Sequence, residues 1–114
     1  MTRPAISPRK RPTAAARREA RAALKTKTEA ALRGAFGDRA QIAIEDGYHD
    51  YIRVLIASPL FEGTPEHLRQ ARIHAALNAG LSAAEHALIT MTLGYAPDEP
   101  EYAWALRELT ERAS

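Results

Sequence analysis

The chain has 114 residues, a length that suits one domain, and a formal net charge of only +2. It contains no cysteine, which excludes disulfides, zinc ribbons, thiol catalysis and an iron–sulfur cluster held by this chain alone, since such clusters want thiolates. The small total hides two unlike parts: residues 1–27 hold nine Lys or Arg against Glu19, a balance of +8, and residues 28–114 hold seven basic and thirteen acidic residues, a balance of −6.

Residues 1–27 are expected to form a basic, solvated tail, because a block of like charge does not collapse on itself. Pro4, Pro8 and Pro12 make its first dozen residues poor helix formers. From Thr13 to Lys25 alanine and arginine dominate, so helix is allowed there. The segment lacks the apolar stretch of a secretory signal, but its Arg- and Ala-rich, acid-poor composition also fits a mitochondrial transit peptide. The location therefore reads as cytoplasmic, or as mitochondrial if residues 1–27 are such a peptide. No run of about 18 apolar residues exists, so no membrane span is expected.

The domain is expected over residues 28–114. Thr28 reads as an N-cap with Glu29 in the first turn, followed by Ala31, Leu32, Ala35 and Phe36 at helical spacing and Gly37 as the stop. Gln41 to Glu45 alternates, with Ile42 and Ile44 on one face of a first strand. Asp46-Gly47 is a turn signal, and Ile52 to Ala57 is a β-branched, apolar second strand, close enough for a hairpin. Ser58-Pro59 ends that strand.

Thr64-Pro65-Glu66 reads as a helix start: a capping hydroxyl, a proline and an acid. That helix should run to about Ala79, with Gly80 as its stop and Ile73 and Leu77 in the core. Ser82 can cap one short turn. His86 to Leu93 alternates as a third strand, Ala87, Ile89, Met91 and Leu93 on one face and His86, Leu88, Thr90 and Thr92 on the other. After a loop, Glu101 to Arg112 is helical, with Tyr102, Leu106 and Leu109 at core spacing and Trp104 nearby. The order α-β-β-α-β-α makes a small α+β domain, a three-stranded sheet with helices packed on it, and shows no β-α-β crossover signal and no repeat.

His86 stands out of step with the apolar residues of its strand and should point away from their face. A neutral imidazole there is either a metal ligand or a partner for a nearby backbone carbonyl. His67 and His74 share a helix face but lie two turns apart, roughly 10 Å, too far for one ion; both read as packing or surface residues. The chain has no nucleophile elbow, no His-Glu-x-x-His, no Walker motif and no glycine-rich fingerprint, so it does not read as an enzyme.

Three marks recur at fixed distances: Phe61-Glu62-Gly63 closes an apolar run, Arg69 stands six residues past that glycine, and His86-Ala87-Leu88 begins twenty-three residues past it. This ordered set resembles the BolA-like family, in which a strand ends in Phe-x-Gly, a helix carries a short basic run and a final strand opens with His-Ala-Leu. The resemblance covers about the last eighty residues. It implies a fold related to type II KH domains and a role, not enzymatic, as partner of a monothiol glutaredoxin in 2Fe–2S cluster binding, transfer or iron and redox sensing. The family's histidine ligand falls on His86, the glutaredoxin supplying a cysteine and its bound glutathione a second sulfur. The family's second ligand, a His or Cys in the loop between the first two strands, falls on His49, which is otherwise an exposed turn histidine.

Arg69 keeps the register of the family's basic run and Arg72 replaces its remainder; both suit an acidic partner surface or glutathione carboxylates, or else are solvated helix surface. His74 stands where the family often has tyrosine. Alone, the chain is expected to be a monomer or a weak dimer. The rival reading is a transcriptional regulator that binds DNA through the basic tail and the second helix. Where a KH domain clamps the backbone with Gly-x-x-Gly, this chain has Gly63-Thr64-Pro65-Glu66, and Glu62 and Glu66 would repel phosphate. Nucleic-acid binding, on this reading, belongs to the tail.

Overall fold

The computed structural model describes residues 13–113, with side chains through Glu108. The first helix, α1, spans Ala14–Phe36 and is capped by Thr13, whose hydroxyl accepts from the Ala16 N–H. This corrects the expected start at Thr28. Thr28 lies inside the helix, fully buried, and its hydroxyl donates to the Leu24 carbonyl one turn back at 2.7 Å. That bond satisfies a polar group that would otherwise favour a cap. Leu24, Thr28, Leu32 and Phe36 form one buried stripe at a spacing of four. The helix therefore crosses the boundary drawn at residue 27, and Leu24 belongs to the core. The proline-bearing residues 4–12 of the expected tail lie outside the described residues. Gly37 ends α1 at φ 79°, a conformation that favours glycine.

Strands β1 (Gln41–Asp46) and β2 (Ile52–Ala57) pair antiparallel as the expected hairpin. A short 3₁₀ turn over Pro59–Phe61 leads to α2 (Glu66–Gly80). The N-cap of α2 is Pro65, which has no side-chain capping bond. Thr64, the expected cap, turns its hydroxyl back to the Leu60 carbonyl at 3.2 Å instead. Gly80 is the last residue of α2 rather than the stop beyond it, since Leu81 is the C-cap. Its lack of a side chain serves packing: a Cβ there would stand 2.6 Å from the Ala31 Cβ, so α1 and α2 approach through this glycine.

Ser82 caps α3 (Ala83–His86), as the short turn predicts, and β3 follows at Ile89–Tyr95. His86 therefore closes a helical turn instead of opening the strand. β3 runs parallel to β2, giving the order β1-β2-β3, so β2, the helical segment and β3 form a crossover that the sequence did not signal. The 31 residues between the two strands are ample for a crossover. The β2–β3 register slips at Ile52/Arg53: Ile52 faces Ile89, yet Arg53 faces Met91. The bulge leaves Thr90 over and swaps the faces of the strand beyond it. Ile89 consequently packs with the α1–α2 side, while Met91, Leu93 and Tyr95 pack on the other, correcting the single face expected for Ile89, Met91 and Leu93.

Two cores result. Leu24, Leu32, Phe36, Ile52, Val54, Ile56, Phe61, Ile73 and Leu77 fill the space between the sheet and the α1–α2 layer. Leu55 and Ala105, with Ala43, Met91, Leu93, Tyr102 and Leu106, join the opposite sheet face to α4 (Pro100–Ala113). Trp104 stays out of this contact, 58% exposed, and Leu109 lies beyond the described side chains. The architecture is a small α+β domain, a three-stranded mixed sheet between helices. Among the described residues, no helix is long and apolar enough to cross a membrane.

Candidate functional site

The exposed end of α3 gathers three side chains. α2 places His74 and Asn78 one turn apart, hence on one face. α3 is pinned by a capping box: the Ser82 hydroxyl accepts from the Glu85 N–H at 3.1 Å, and the Glu85 carboxylate accepts from the Ser82 N–H at 2.8 Å. The same carboxylate takes both of its oxygens to Lys27 of α1, at 2.9 and 3.0 Å. The Ser82 backbone bond, then Lys27, holds the Glu85 pKa down to about 2. One residue on, the His86 N–H donates to the Ser82 carbonyl, which fixes where the ring begins.

The His86 ring is bonded on both sides. Its Nδ1 lies 2.6 Å from Asn78 Oδ1, and its Nε2 lies 3.0 Å from His74 Nδ1, the two rings stacking at 5.1 Å between centroids. An amide oxygen only accepts, so Nδ1 of His86 carries the proton. In the neutral ring Nε2 then holds the lone pair, and His74 Nδ1–H donates to it. The partner of His86 is thus not a backbone carbonyl, and His74 is the surface residue expected, its ring packed on that of His86. Asn78 was legible only as a neighbour of His74 at a spacing of four; its meeting with His86 depends on how α3 folds back over α2.

His49 lies elsewhere. It occupies the β1–β2 turn at φ 55°, so the left-handed position in this turn falls on His49 rather than Gly47. Its carbonyl accepts from Arg21 at 2.7 Å, its ring meets Tyr48 edge-on, and neighbouring Asp50 pairs with Arg17. Asp46 at the start of the turn binds Lys25 and Arg21, whose hydrogen bond and charges lower its pKa. The contacts of this loop run to α1, those of His86 to α2, and none joins the two histidines.

Arg69 turns inward, with its side chain only 11% exposed. Nε donates to the Thr64 carbonyl, Nη1 to the Gly94 carbonyl, and Nη2 meets Glu99 at 2.6 Å. The guanidinium also lies 5.8 Å from the centre of the Phe61 ring. Next to it, Gln70 donates to the Thr92 carbonyl and accepts from the Thr92 hydroxyl. Arg69 and Gln70 thereby cover the outer edge of β3, which would otherwise present unpaired carbonyls. Arg69 thus serves as a strut of the fold. Arg72 is exposed and spends one bond on the Leu60 carbonyl.

Among the described residues, no three His, Asp or Glu side chains converge in an arrangement able to hold a metal. No family model, no curated protein and no solved structure matches the chain.

Proposed function

We propose that this chain is a BolA-like partner of a monothiol glutaredoxin, working in the binding, transfer or sensing of a 2Fe–2S cluster held jointly by the two proteins. The observation that carries this reading is the His86 imidazole. It stands half-buried at the end of α3, with Nδ1–H fixed by Asn78, so that Nε2 is the available donor atom. It also stands in register with Phe61-Glu62-Gly63, the mark by which the chain resembles the family. The order α-β-β-α-β-α, with the short α3 before β3, accords with this reading; the one aromatic in the described strands, Tyr95, lies against the Tyr102 ring of α4. A donor set with imidazole and no thiolate fits a shared site in which the glutaredoxin and glutathione bring the sulfur. Use of Nε2 requires His74 to release its hydrogen bond. His49, tied toward α1, is the weaker candidate for a second nitrogen. Of the two arginines expected to face a partner, Arg72 is exposed on α2 and Arg69 is the more enclosed.

The alternative, a DNA-binding regulator, draws on the basic N-terminal segment. Within its described part, however, Arg17, Arg21, Lys25 and Lys27 already pair with Asp50, Asp46 and Glu85, which blunts their appeal to phosphate. The test is reconstitution of the chain with a monothiol glutaredoxin, glutathione, iron and sulfide, followed by absorption spectroscopy. A coloured heterodimer should form, and His86→Ala should change its spectrum and shorten the cluster lifetime. An unchanged spectrum and lifetime in His86→Ala would remove the reading.

A further inference from the structure

We propose that His74 and His86 form a two-imidazole site for one borderline divalent cation of the Zn²⁺, Ni²⁺ or Cu²⁺ class, with Asn78 as its outer-shell anchor. The proposal does not rest on the shared cluster, and needs no partner.

The distance is the first argument. His74 Nδ1 and His86 Nε2 stand 3.0 Å apart. Two imidazole nitrogens on one ion, each bonded at about 2.0–2.1 Å and at angles between square and tetrahedral, stand roughly 2.9–3.4 Å apart. The ring nitrogens are therefore already separated as adjacent ligands of one ion; the ion sits off the line between them, each nitrogen–metal direction inclined to that line by roughly 40°, and both rings rotate to receive it. The outer shell is the second argument. A ligating histidine normally donates its other N–H to an oxygen, which sets tautomer and orientation. His86 does so to Asn78 Oδ1 at 2.6 Å. His74 and Asn78 ride on one face of a fifteen-residue helix, and the capping box fixes α3, so ligand and anchor sit on rigid elements.

Proton balance is simple. When the pair is neutral, one proton lies between the rings on His74 Nδ1. The ion takes its place, and His74 carries its proton on Nε2 instead. No net proton is released. The metal class follows from the donors: two imidazoles and no carboxylate suit Zn²⁺, Ni²⁺ and Cu²⁺, whereas Ca²⁺ and Mg²⁺ want oxygens. With no third protein ligand converging among the described residues, the other positions are left for water or an incoming ligand.

The test uses the untagged full chain and Cu²⁺, the tightest of the series. Calorimetry gives stoichiometry and affinity, and electron paramagnetic resonance counts the bound nitrogens. One ion should bind per chain, with two imidazole nitrogens. His74→Ala and His86→Gln should each lower affinity at least tenfold and leave one nitrogen, with the circular dichroism unchanged. Asn78→Ala should cost about 10–100-fold, as outer-shell losses do. His49→Ala and His67→Ala should bind as the parent does. A parent-like signal in His74→Ala, or loss of binding in His49→Ala or His67→Ala, overturns the proposal, as does the absence of stoichiometric binding.

Discussion

Arg69 Nη2 and the Glu99 carboxylate meet at 2.6 Å between α2 and the loop that follows β3. Each moves the other's titration: the hydrogen bond from Arg69 lowers the Glu99 pKa, and the one from Glu99 raises that of Arg69. Arg69→Ala would also orphan the Thr64 and Gly94 carbonyls. The expected loss of stability is about 1–3 kcal/mol, read by urea unfolding. Arg69→Lys should recover less than half of it, because an ammonium cannot reproduce the fork. A surface role for Arg69 would instead leave the unfolding midpoint unmoved.

Gly80→Ala separates two accounts of this glycine. Helix propensity alone would make alanine stabilising, by up to about 1 kcal/mol. Steric conflict with Ala31, whose Cβ would lie 2.6 Å from the new one, should make it destabilising by about 1–3 kcal/mol. The double variant Ala31→Gly/Gly80→Ala should recover most of the loss. A stabilised single variant would show that α1 and α2 are not held this close.

Deleting residues 1–27 should destabilise the fold, contrary to the expectation of a solvated tail. The cut removes Leu24 from the core, the Arg21 and Lys25 bonds to Asp46, and Lys27 from Glu85. Leu24→Ala alone should cost about 2–5 kcal/mol. Thermal unfolding of the full chain, the deletion and Leu24→Ala tests this: a deletion that melts with the full chain would return the tail to its expected role.

Legibility tracked the range of the physics involved. The hairpin, Ile42 and Ile44 on one face, Ile73 and Leu77 in the core and the Ser82 turn follow from local periodicity and capping, and all were legible. Thr28 misled because a threonine followed by glutamate looks like a cap; only its hydroxyl bond to Leu24, hidden in the core, reveals it as mid-helix. The faces of β3 were misread because one bulge at Thr90 reverses the alternation, and a bulge leaves no mark in hydrophobic period. At the site, His86 and Arg69 were singled out by motif, but their surroundings were not legible. Asn78 reaches His86 from 8 residues away and Glu99 reaches Arg69 from 30, while Gln70, beside Arg69, reaches Thr92 across 22, through contacts made only once α2 lies against α3 and β3.

The last prediction joins pH to the placement of His86. The Glu85 pKa, held at about 2 by the Ser82 N–H and then by Lys27, is depressed relative to the unfolded chain. A depressed carboxyl contributes stability that is present above its unfolded value, near 4.5, and is lost as pH falls toward 2. The Ser82–Glu85 box should therefore survive mild acid, and α3 should keep its shape at pH 3. Carboxyl-carbon magnetic resonance should show Glu85 titrating well below the ordinary glutamate value. Ser82→Ala removes the hydroxyl that accepts from Glu85 N–H while leaving the Ser82 backbone bond, and should raise the midpoint slightly; Lys27→Ala should raise it more. Glu85→Gln retains the acceptor for the Ser82 N–H but loses Lys27, so it should preserve the His86 and His74 ring signals, whereas Glu85→Ala should shift both. A midpoint for Glu85 at the ordinary glutamate value, insensitive to Lys27→Ala, would mean that the carboxylate does not hold α3, and that something else positions His86.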